Sequence, residues 1–273
     1  MNPGGPFVRA AIRRGVLTAW FVVALGGAAW AQKSEGRLAF EAFDAWRTQP
    51  VHASLSWDDT LRLYRQQLLD DGLTPDQADR TLRLALAHDE GVLYDRVYTA
   101  QQSEFRLEPT ALLVKAVAGL KPGKALDVGM GQGRNALFLA ERGWDVTGFD
   151  VSAVGLATAR DVAAARGLSL RALQMSDEEF DFGTQQWDLI AVLYAIEKRS
   201  VFRVKNALKP GGLVVVEGAH REVSGGEWEF ETNELLRIFD GFTILKYEDV
   251  MDSYDWAPEK QLRMVRLVAR KPH

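Results

Sequence analysis

The sequence has 273 residues, of which 47% are hydrophobic, and a net charge of −4 at pH 7. Such a chain can bury one good-sized core, so we expect one main domain with an appendage. It contains no cysteine, which excludes disulfides, iron–sulfur clusters, cysteine zinc sites and thiol nucleophiles. No concentrated basic stretch follows the N-terminal segment, so we expect no nucleic-acid partner.

The histidines give no indication of a metal site. A metal-binding pair usually has a short spacing that places both ligands on one face of a helix. No two of the four histidines have that spacing; they are His52, His88, His220 and His273. We therefore predict that the chain binds no metal.

The first 31 residues have the pattern of a signal peptide. Three arginines precede an apolar run at residues 15–31, which ends in the small-x-small sequence Ala29-Trp30-Ala31. Cleavage there would leave a chain that begins at Gln32. The run is also at the short limit for a membrane-spanning helix, so an uncleaved anchor is the alternative and a buried core helix a third interpretation. We expect an exported protein, periplasmic or secreted, or one anchored in a membrane through this segment; the export route stays open.

Residues 32–106 predict a helical appendage. Ser56 can cap a helix whose apolar residues recur at three- and four-residue steps until Gly72. Thr74, Pro75 and Gln77 then form a capping signature that predicts the start of a second helix. We interpret this segment as a helical hairpin that packs on the next domain, in preference to a separate binding module.

Residues 107–273 predict an α/β domain. A short helix after Pro109 ends at Gly119, and the strand candidates that follow are residues 124–128, 145–149, 169–174, 187–193, 212–217, 242–247 and 261–269. The first four gaps between these strands have a largely helical pattern, and residues 232–239 supply a further helix. This alternation predicts a mostly parallel sheet with helices on both faces. The last two strands have no helix between them, so we expect them to pair antiparallel.

A glycine-rich turn follows the first of these strands. Gly129, Gly131 and Gly133 can adopt positive φ and let a ligand approach the main chain, and the next helix offers free N–H groups. Asp150 ends the second strand, where a carboxylate can accept the hydroxyls of a ribose. We predict that a nucleoside lies over the glycines and that Asp150 binds its ribose. A dinucleotide is disfavoured, because Arg134 stands where its fingerprint requires a third glycine.

The segment LDVGMGQGRNALFLAERGWDVTGFDVS closely resembles the first two motifs of class I S-adenosylmethionine-dependent methyltransferases. Within that family it is most similar to the small-molecule branch that includes the tellurite-resistance-like enzymes. The resemblance extends over residues 105–270. It implies a Rossmann-like, seven-stranded, mostly parallel sheet whose last strand is antiparallel, and S-adenosylmethionine as the cofactor.

The resemblance also implies which residues contact the cofactor. Asp127 and the turn Gly129-Met130-Gly131-Gln132-Gly133 would line its methionine and ribose portions, and Asp150 would bind the ribose. Arg134 and Asn135 would lie near the methionine carboxylate.

The adenine and the reacting methyl group have their own implied contacts. Val151 would border the adenine, and Ser176 and Asp177 would meet its amino group. Tyr194 would flank the methyl group. Asp177 also has a second interpretation, because it belongs to an acidic run of the kind that is usually a solvated face.

Methyl transfer from a sulfonium is an in-line displacement in which alignment of the reactants dominates, so no strong base is required. Tyr194 is one candidate catalytic residue, and Glu217 and His220, just beyond the fifth strand, are the candidate bases. Each of these two also has a purely structural interpretation. Residues 194–197 differ from the Asn/Asp-Pro-Pro-aromatic motif of similar DNA-methylating enzymes, so we expect a small-molecule acceptor.

Several alternatives stay open at this stage. Trp228, Phe230, Tyr254 and Trp256 could wall an acceptor pocket or pack at the sheet edge. A catalytically silent nucleoside- or S-adenosylmethionine-binding protein, with a partner-binding helical appendage, is the alternative function. An NAD-dependent oxidoreductase is disfavoured by Arg134. Export also conflicts with a donor that is made in the cytoplasm, and the pattern indicates no oligomeric state.

Overall fold

The structure is a computed structural model that describes residues 35–52, 54–99, 108–195, 198–223, 229–253 and 261–273. The predicted signal peptide or anchor therefore lies outside the described residues, as do Trp228, Tyr254 and Trp256. The chain divides into two compact units between Asp89 and Glu90.

The first unit is helical. Its helices are α1 (Glu35–Arg47), α2 (Trp57–Asp70) and the first part of α3 (Pro75–Thr99), so α1 adds a helix to the predicted hairpin. The division of the chain lies inside α3, not after residue 106 as predicted. No helix in the described ranges is both long enough and apolar enough to cross a membrane.

Capping residues and a small apolar core explain these helices. The N–H of Asp59 donates to the Ser56 hydroxyl at 3.2 Å, as expected for the residue that caps α2. Thr74 and Gln77 bond reciprocally, the Thr74 N–H to Oε1 of Gln77 at 2.9 Å and the Gln77 N–H to Oγ1 of Thr74 at 3.3 Å. The predicted capping box at the start of α3 is therefore present. The core between the helices includes Phe43, Tyr64, Leu68, Ala78, Leu84 and Ala85.

The second unit begins with the last turns of α3 and continues as an α/β domain. Its further elements are α4 (Ala111–Ala116), β1 (Lys124–Val128), α5 (Arg134–Glu141), β2 (Asp145–Asp150), α6 (Ala153–Ala165), β3 (Leu170–Gln174), β4 (Trp187–Leu193), α7 (Lys198–Ala207), β5 (Leu208–Ala219), α8 (Glu234–Ile238), β6 (Thr243–Ser253) and β7 (Gln261–Arg270). The strands form one seven-stranded sheet in the order β3-β2-β1-β4-β5-β7-β6.

The sheet confirms the predicted fold class. Strands β1 to β5 pair in parallel, whereas β7 pairs antiparallel with both β5 and β6. Alternate residues of the central strands enter separate cores: Leu126 and Ile190 in one, Ala125 and Leu189 in the other. Because successive side chains of a strand point to opposite faces, both faces of this sheet are buried.

One predicted helix is wrong. Residues 175–186, between β3 and β4, form turns and irregular chain. Phe180 stacks on Phe149 with ring centroids 4.3 Å apart, and Phe182 meets both rings edge-on. Residues two apart cannot share one face of a helix, so the burial of both phenylalanines in one aromatic cluster is incompatible with a helix here.

Candidate functional site

The glycine turn lies between β1 and α5, as predicted. All three glycines have positive φ, namely 62° at Gly129, 52° at Gly131 and 82° at Gly133. A Cβ at the first would overlap the Ala195 side chain, one at the second would overlap the Tyr98 hydroxyl, and one at the third would lie 2.8 Å from the Cβ of Ala159. Each position therefore requires glycine both for its backbone conformation and for close approach.

Asp150 connects the glycine turn to the neighbouring strand. Its Oδ2 accepts the N–H of Gly131 and its Oδ1 accepts the N–H of Ser152, both at 2.8 Å. Burial raises the pKa of Asp150, although these two hydrogen bonds oppose that rise. Each carboxylate oxygen has two lone pairs, so the side chain can still accept a ribose hydroxyl. The ribose contact stays a prediction.

Asp127 is a buried carboxyl near the end of β1. It is 1% exposed, and its Oδ2 has no hydrogen-bond partner. Burial raises its pKa to about 7, although the positive charge of Arg134 opposes the rise. A buried acceptor without a donor costs about 1–3 kcal/mol. The ammonium group of a methionine moiety is a donor that would satisfy it.

Asp177 has a second buried acceptor of this kind. Its Oδ2 is buried without a hydrogen-bond partner, which does not match the solvated-face interpretation. The adjacent Ser176 is occupied within its own turn, because its N–H and hydroxyl both donate to Glu179, at 3.0 and 3.1 Å. Val151 is half-buried. Of the two residues predicted to meet the adenine amino group, Asp177 is the one with a buried acceptor oxygen that lacks a partner, and the adenine contact stays a prediction.

The three acids form a row along one edge of the sheet. Asp177 follows β3, Asp150 ends β2 and Asp127 lies near the end of β1, and these strands are neighbours in the order β3-β2-β1. Parallel neighbours lie about 4.8 Å apart, with their carboxyl ends at the same edge. S-adenosylmethionine carries its donors in the same sequence: an adenine amino group, ribose hydroxyls and an ammonium group. The residues present therefore fit this cofactor.

Other residues predicted to contact the cofactor have structural partners. The buried Asn135 accepts the N–H of Thr110 at 2.9 Å, and Arg134 donates to the carbonyl of Glu108 at 3.2 Å. Together they hold the segment before α4. The Met130 side chain packs against Gly148 of β2, so it is the main chain of Met130 that belongs to the turn. Contacts of these residues with the cofactor stay predictions.

Tyr194 and Glu217 lie together at the ends of β4 and β5. The Tyr194 hydroxyl bonds to Oε1 of Glu217, and the Tyr194 N–H donates to the Glu217 carbonyl at 2.8 Å. Arg266 of β7 donates to the other carboxylate oxygen at 3.1 Å. Burial opposes protonation of Arg266, yet the Glu217 charge raises its pKa above the ordinary value. Glu217 is 2% exposed, and its negative charge is neutralised by Arg266, which is half-buried.

His220 belongs to a different polar network. Its Nδ1 accepts the N–H of Glu222 at 3.2 Å, and its Nε2 lies 3.1 Å from the hydroxyl of Thr232. That hydroxyl donates to Asp249 at 2.9 Å. Arg263 donates to Asp249, to the Glu222 carboxylate and to the Thr232 hydroxyl. Both ring nitrogens of His220 are thus engaged, while its role as a base stays a prediction. The adjacent Phe230 is 2% exposed and packs in the core of the sheet.

The sequence analysis missed three residues of this region. Tyr98 and Asp95 lie in α3, which was assigned to the appendage, and they contact the loops after β1 and β2. A pair of tyrosines four residues apart, Tyr94 and Tyr98, was the available signal. Arg266 was the third, and its signal was a charge within an otherwise apolar run in β7.

The sequence comparisons match one segment of the chain to a family model. Residues 125–212 match the model of a methyltransferase domain. Hemagglutinin 1 of Eikenella corrodens is 30% identical over 176 residues, 58% of this chain and 58% of that protein. The ribosomal RNA small subunit methyltransferase C of Alcanivorax borkumensis is 30% identical over 158 residues (53% and 47%), and the ubiquinone biosynthesis O-methyltransferase of Aeromonas salmonicida is 33% identical over 109 residues (38% and 46%). The chain spans about half the length of these curated relatives.

Solved structures share the fold. The [4+2]-cyclase SpnF superposes with a TM-score of 0.56 at 21% identity, over 68% of this chain and 96% of that one. TehB from Haemophilus influenzae gives a TM-score of 0.53 at 20% identity, over 67% of each chain. These identities are low enough that the likeness concerns the fold alone. The matched segment is similar to a methyltransferase domain, and the sheet order together with these superpositions supports the class I methyltransferase fold.

Proposed function

We propose that this chain transfers a methyl group from S-adenosylmethionine to a small-molecule acceptor. The observation that carries the proposal is the row of Asp127, Asp150 and Asp177, two of which have a buried oxygen without a partner. The similarity to an O-methyltransferase and to TehB supports a small acceptor. A ribosomal RNA methyltransferase is also among the relatives, but the net charge of −4 disfavours binding to a phosphate backbone.

The chain's contribution to the reaction is mainly positioning. S-adenosylmethionine supplies an already activated methyl group when it is bound. Tyr194 lies at the carboxyl end of β4, and the next residue, Ala195, packs on Gly129 of the cofactor turn. Tyr194 is thus the sequence neighbour of a residue that contacts the glycine turn, and it bonds to Glu217 of β5. Alignment of two reactants by such residues can contribute about 7–11 kcal/mol to lowering the barrier.

Glu217 gives Tyr194 a defined orientation. Because the phenol donates its hydrogen bond to the carboxylate, the Tyr194 oxygen faces a methyl acceptor as a hydrogen-bond acceptor for an O–H or N–H group. Arg266 favours the ionised form of Glu217 and so maintains this arrangement. The pair thus orients the acceptor and receives its hydrogen bond. A strong base is not needed for a nucleophile that is soft or already ionised.

Calorimetric titration with S-adenosylmethionine tests the cofactor assignment. Asp150→Asn should weaken binding about tenfold or more, because one of the two acceptor oxygens of the side chain is replaced by an NH₂ donor. Asp145→Asn is the matched control, since Asp145 is the exposed acid at the other end of the same strand. Equal affinities of the wild type and Asp150→Asn would remove the ribose assignment. Formation of S-adenosylhomocysteine with a panel of small acceptors then separates an enzyme from a silent binding protein.

We also propose that the chain is exported, or anchored in a membrane through residues 15–31. The arginines before this apolar run and the small-x-small sequence at its end support the proposal. Cell fractionation with mapping of the mature N-terminus tests it. A chain that begins at Gln32 indicates cleavage, and an intact chain in the membrane fraction indicates an anchor. An intact chain recovered only from the cytoplasm contradicts both.

A further inference from the structure

The last turns of helix α3 lie on the loop between β2 and α6. These turns, from Glu90 to Thr99, belong to the second unit. A Cβ at Gly91 would lie 2.8 Å from the carbonyl oxygen of Val151, so a glycine is needed for this approach. Because Val151 directly follows Asp150, the helix lies beside the predicted ribose and adenine contacts.

Asp95 holds the end of α3 in this position. Its Oδ1 accepts the hydroxyl of Ser152 at 2.6 Å and the N–H of Val154 at 3.0 Å. The same serine caps helix α6, because its hydroxyl accepts the N–H of Gly155 at 3.0 Å. A single carboxylate thus accepts two hydrogen bonds, one of them from a buried capping residue, and these fix the end of α3 against the start of α6.

Tyr98 lies one turn further along α3 and reaches the glycine turn. A Cβ at Gly155 would lie 3.0 and 3.1 Å from two carbons of the Tyr98 ring, and the Tyr98 hydroxyl occupies the space that a Cβ at Gly131 would need. Burial, reinforced by the negative charge of Asp150, raises the pKa of Tyr98. The phenol therefore keeps its proton at neutral pH, and its hydroxyl lies beside the main chain of Gly131.

We propose that Tyr98 is a cofactor-binding residue whose hydroxyl hydrogen-bonds the ribose–methionine portion of S-adenosylmethionine. The end of α3 is accordingly a wall of the donor site and not part of an appendage. These contacts favour a helix end that stays in place over one that moves when the cofactor binds, because Asp95 accepts two hydrogen bonds from the start of α6 and the Tyr98 ring packs on Gly155. This inference rests on the proposed function, since it requires that the chain binds S-adenosylmethionine.

The test is calorimetric titration of the full chain with S-adenosylhomocysteine. Tyr98→Phe removes the hydroxyl and keeps the ring, so it should weaken binding about tenfold, the typical effect of one lost hydrogen bond. Tyr64→Phe is the control, because it removes a buried hydroxyl without a hydrogen-bond partner in the first unit. Unchanged or tighter binding by Tyr98→Phe overturns the inference. If the wild type itself does not bind, the proposed function fails instead.

Hydrogen exchange of the wild type gives a second readout that needs no variant at position 98. S-adenosylhomocysteine should slow exchange in residues 90–99 as well as in the glycine turn, because both would contact the ligand. Asp95→Ala should abolish the slowing in residues 90–99 and weaken binding at least threefold. Slowing confined to the glycine turn, or wild-type affinity in Asp95→Ala, contradicts a wall formed by α3.

Discussion

Tyr194 and Glu217 are joined twice, through the phenol hydroxyl to the carboxylate and through the Tyr194 N–H to the Glu217 carbonyl. Tyr194 also has a φ of 61°, in the left-handed region that a residue with a side chain rarely adopts. Such a conformation costs about 1–2 kcal/mol and persists only where surrounding contacts hold it. Glu217 supplies those contacts, so the tyrosine is held in place near the glycine turn.

Substitution of either member of this pair should lower turnover more than donor binding. We expect Tyr194→Phe and Glu217→Gln each to reduce kcat about 10- to 100-fold, since the acceptor loses an oriented partner. The double variant should lose little more than either single variant, because the two side chains act as one unit. Single-turnover formation of S-adenosylhomocysteine, with donor affinity measured in parallel, checks this.

The control for the pair is Glu222→Gln, which changes an acid beyond the end of β5 that is 68% exposed. It should retain wild-type turnover. Strict additivity of the Tyr194 and Glu217 effects would mean that the two residues act independently. If Tyr194→Phe loses donor affinity by the same factor as it loses turnover, the phenol belongs to the donor site instead.

Asp127 predicts a pH-dependent stability. Its pKa is raised to about 7 in the folded protein, from 3.8, so between these values the folded state binds more protons than the unfolded chain. Stability therefore falls as the pH rises through this window, by up to about 4 kcal/mol. Asp127→Asn should remove the part of this fall that comes from Asp127, while Asp150, whose pKa is also raised, keeps a change of stability with pH of the same sign. Urea unfolding at pH 5 and pH 7.5 measures both.

A control for that experiment is Asp145→Asn, which neutralises an exposed acid of the same sheet and should keep the wild-type slope. If the free energy of unfolding of Asp127→Asn falls between pH 5 and pH 7.5 as much as that of the wild type, then Asp127 is ionised in the folded protein throughout this range.

Asp177→Asn tests the adenine assignment. The buried Oδ2 of Asp177 has no hydrogen-bond partner, so the adenine amino group should be its donor. We expect the variant to bind S-adenosylhomocysteine about tenfold more weakly and to discriminate less against the inosine analogue, which presents a carbonyl oxygen at that position. Asp181→Asn, at an exposed acid of the same loop, should behave as the wild type. Undiminished discrimination by Asp177→Asn would assign adenine recognition to other groups.

Gly131→Ala should abolish donor binding and destabilise the fold. The new methyl group would overlap the Tyr98 hydroxyl, and the backbone has a φ of 52°. Gly167→Ala separates these effects, because that residue has a φ of 66° with nothing within 4 Å of its added Cβ. The free energy of unfolding of Gly167→Ala should fall only by the cost of placing a residue with a Cβ in the left-handed conformation, about 1–2 kcal/mol. Equal losses of stability in both variants, measured by thermal unfolding, would show that the space at Gly131 is not needed.

Much of the sheet could be predicted because its central strands are short apolar runs between turn residues. The bounds of β1 and β4 agree with the prediction to the residue. Strand β5 begins earlier, at Leu208, because Leu208 pairs with Trp187 before a register shift. Polar residues extend β6 to Ser253 through pairing with β7. Such backbone pairing depends on the partner strand and leaves no apolar pattern.

The site was predictable where its residues are contiguous in sequence. Asp127, the glycines and Asp150 follow one another within two strands and a turn, so their spacing carries the information. Tyr98 and Arg266 come from distant segments, and their contact with this edge depends on tertiary packing. A helical pattern shows that one face of α3 is buried, but it does not tell which surface covers that face.

The position of β7 between β5 and β6 sets an order of maturation during synthesis. Strands β1 to β4, with the glycine turn and the three acids, are complete once Leu193 has left the ribosome. Glu217 of β5 is made before its cationic partner Arg266, which belongs to the last strand, β7. Strand β7 nevertheless lies inside the sheet, between β5 and β6. The nascent chain therefore contains the residues that we propose for nucleoside binding well before it contains those that we propose for orienting a methyl acceptor.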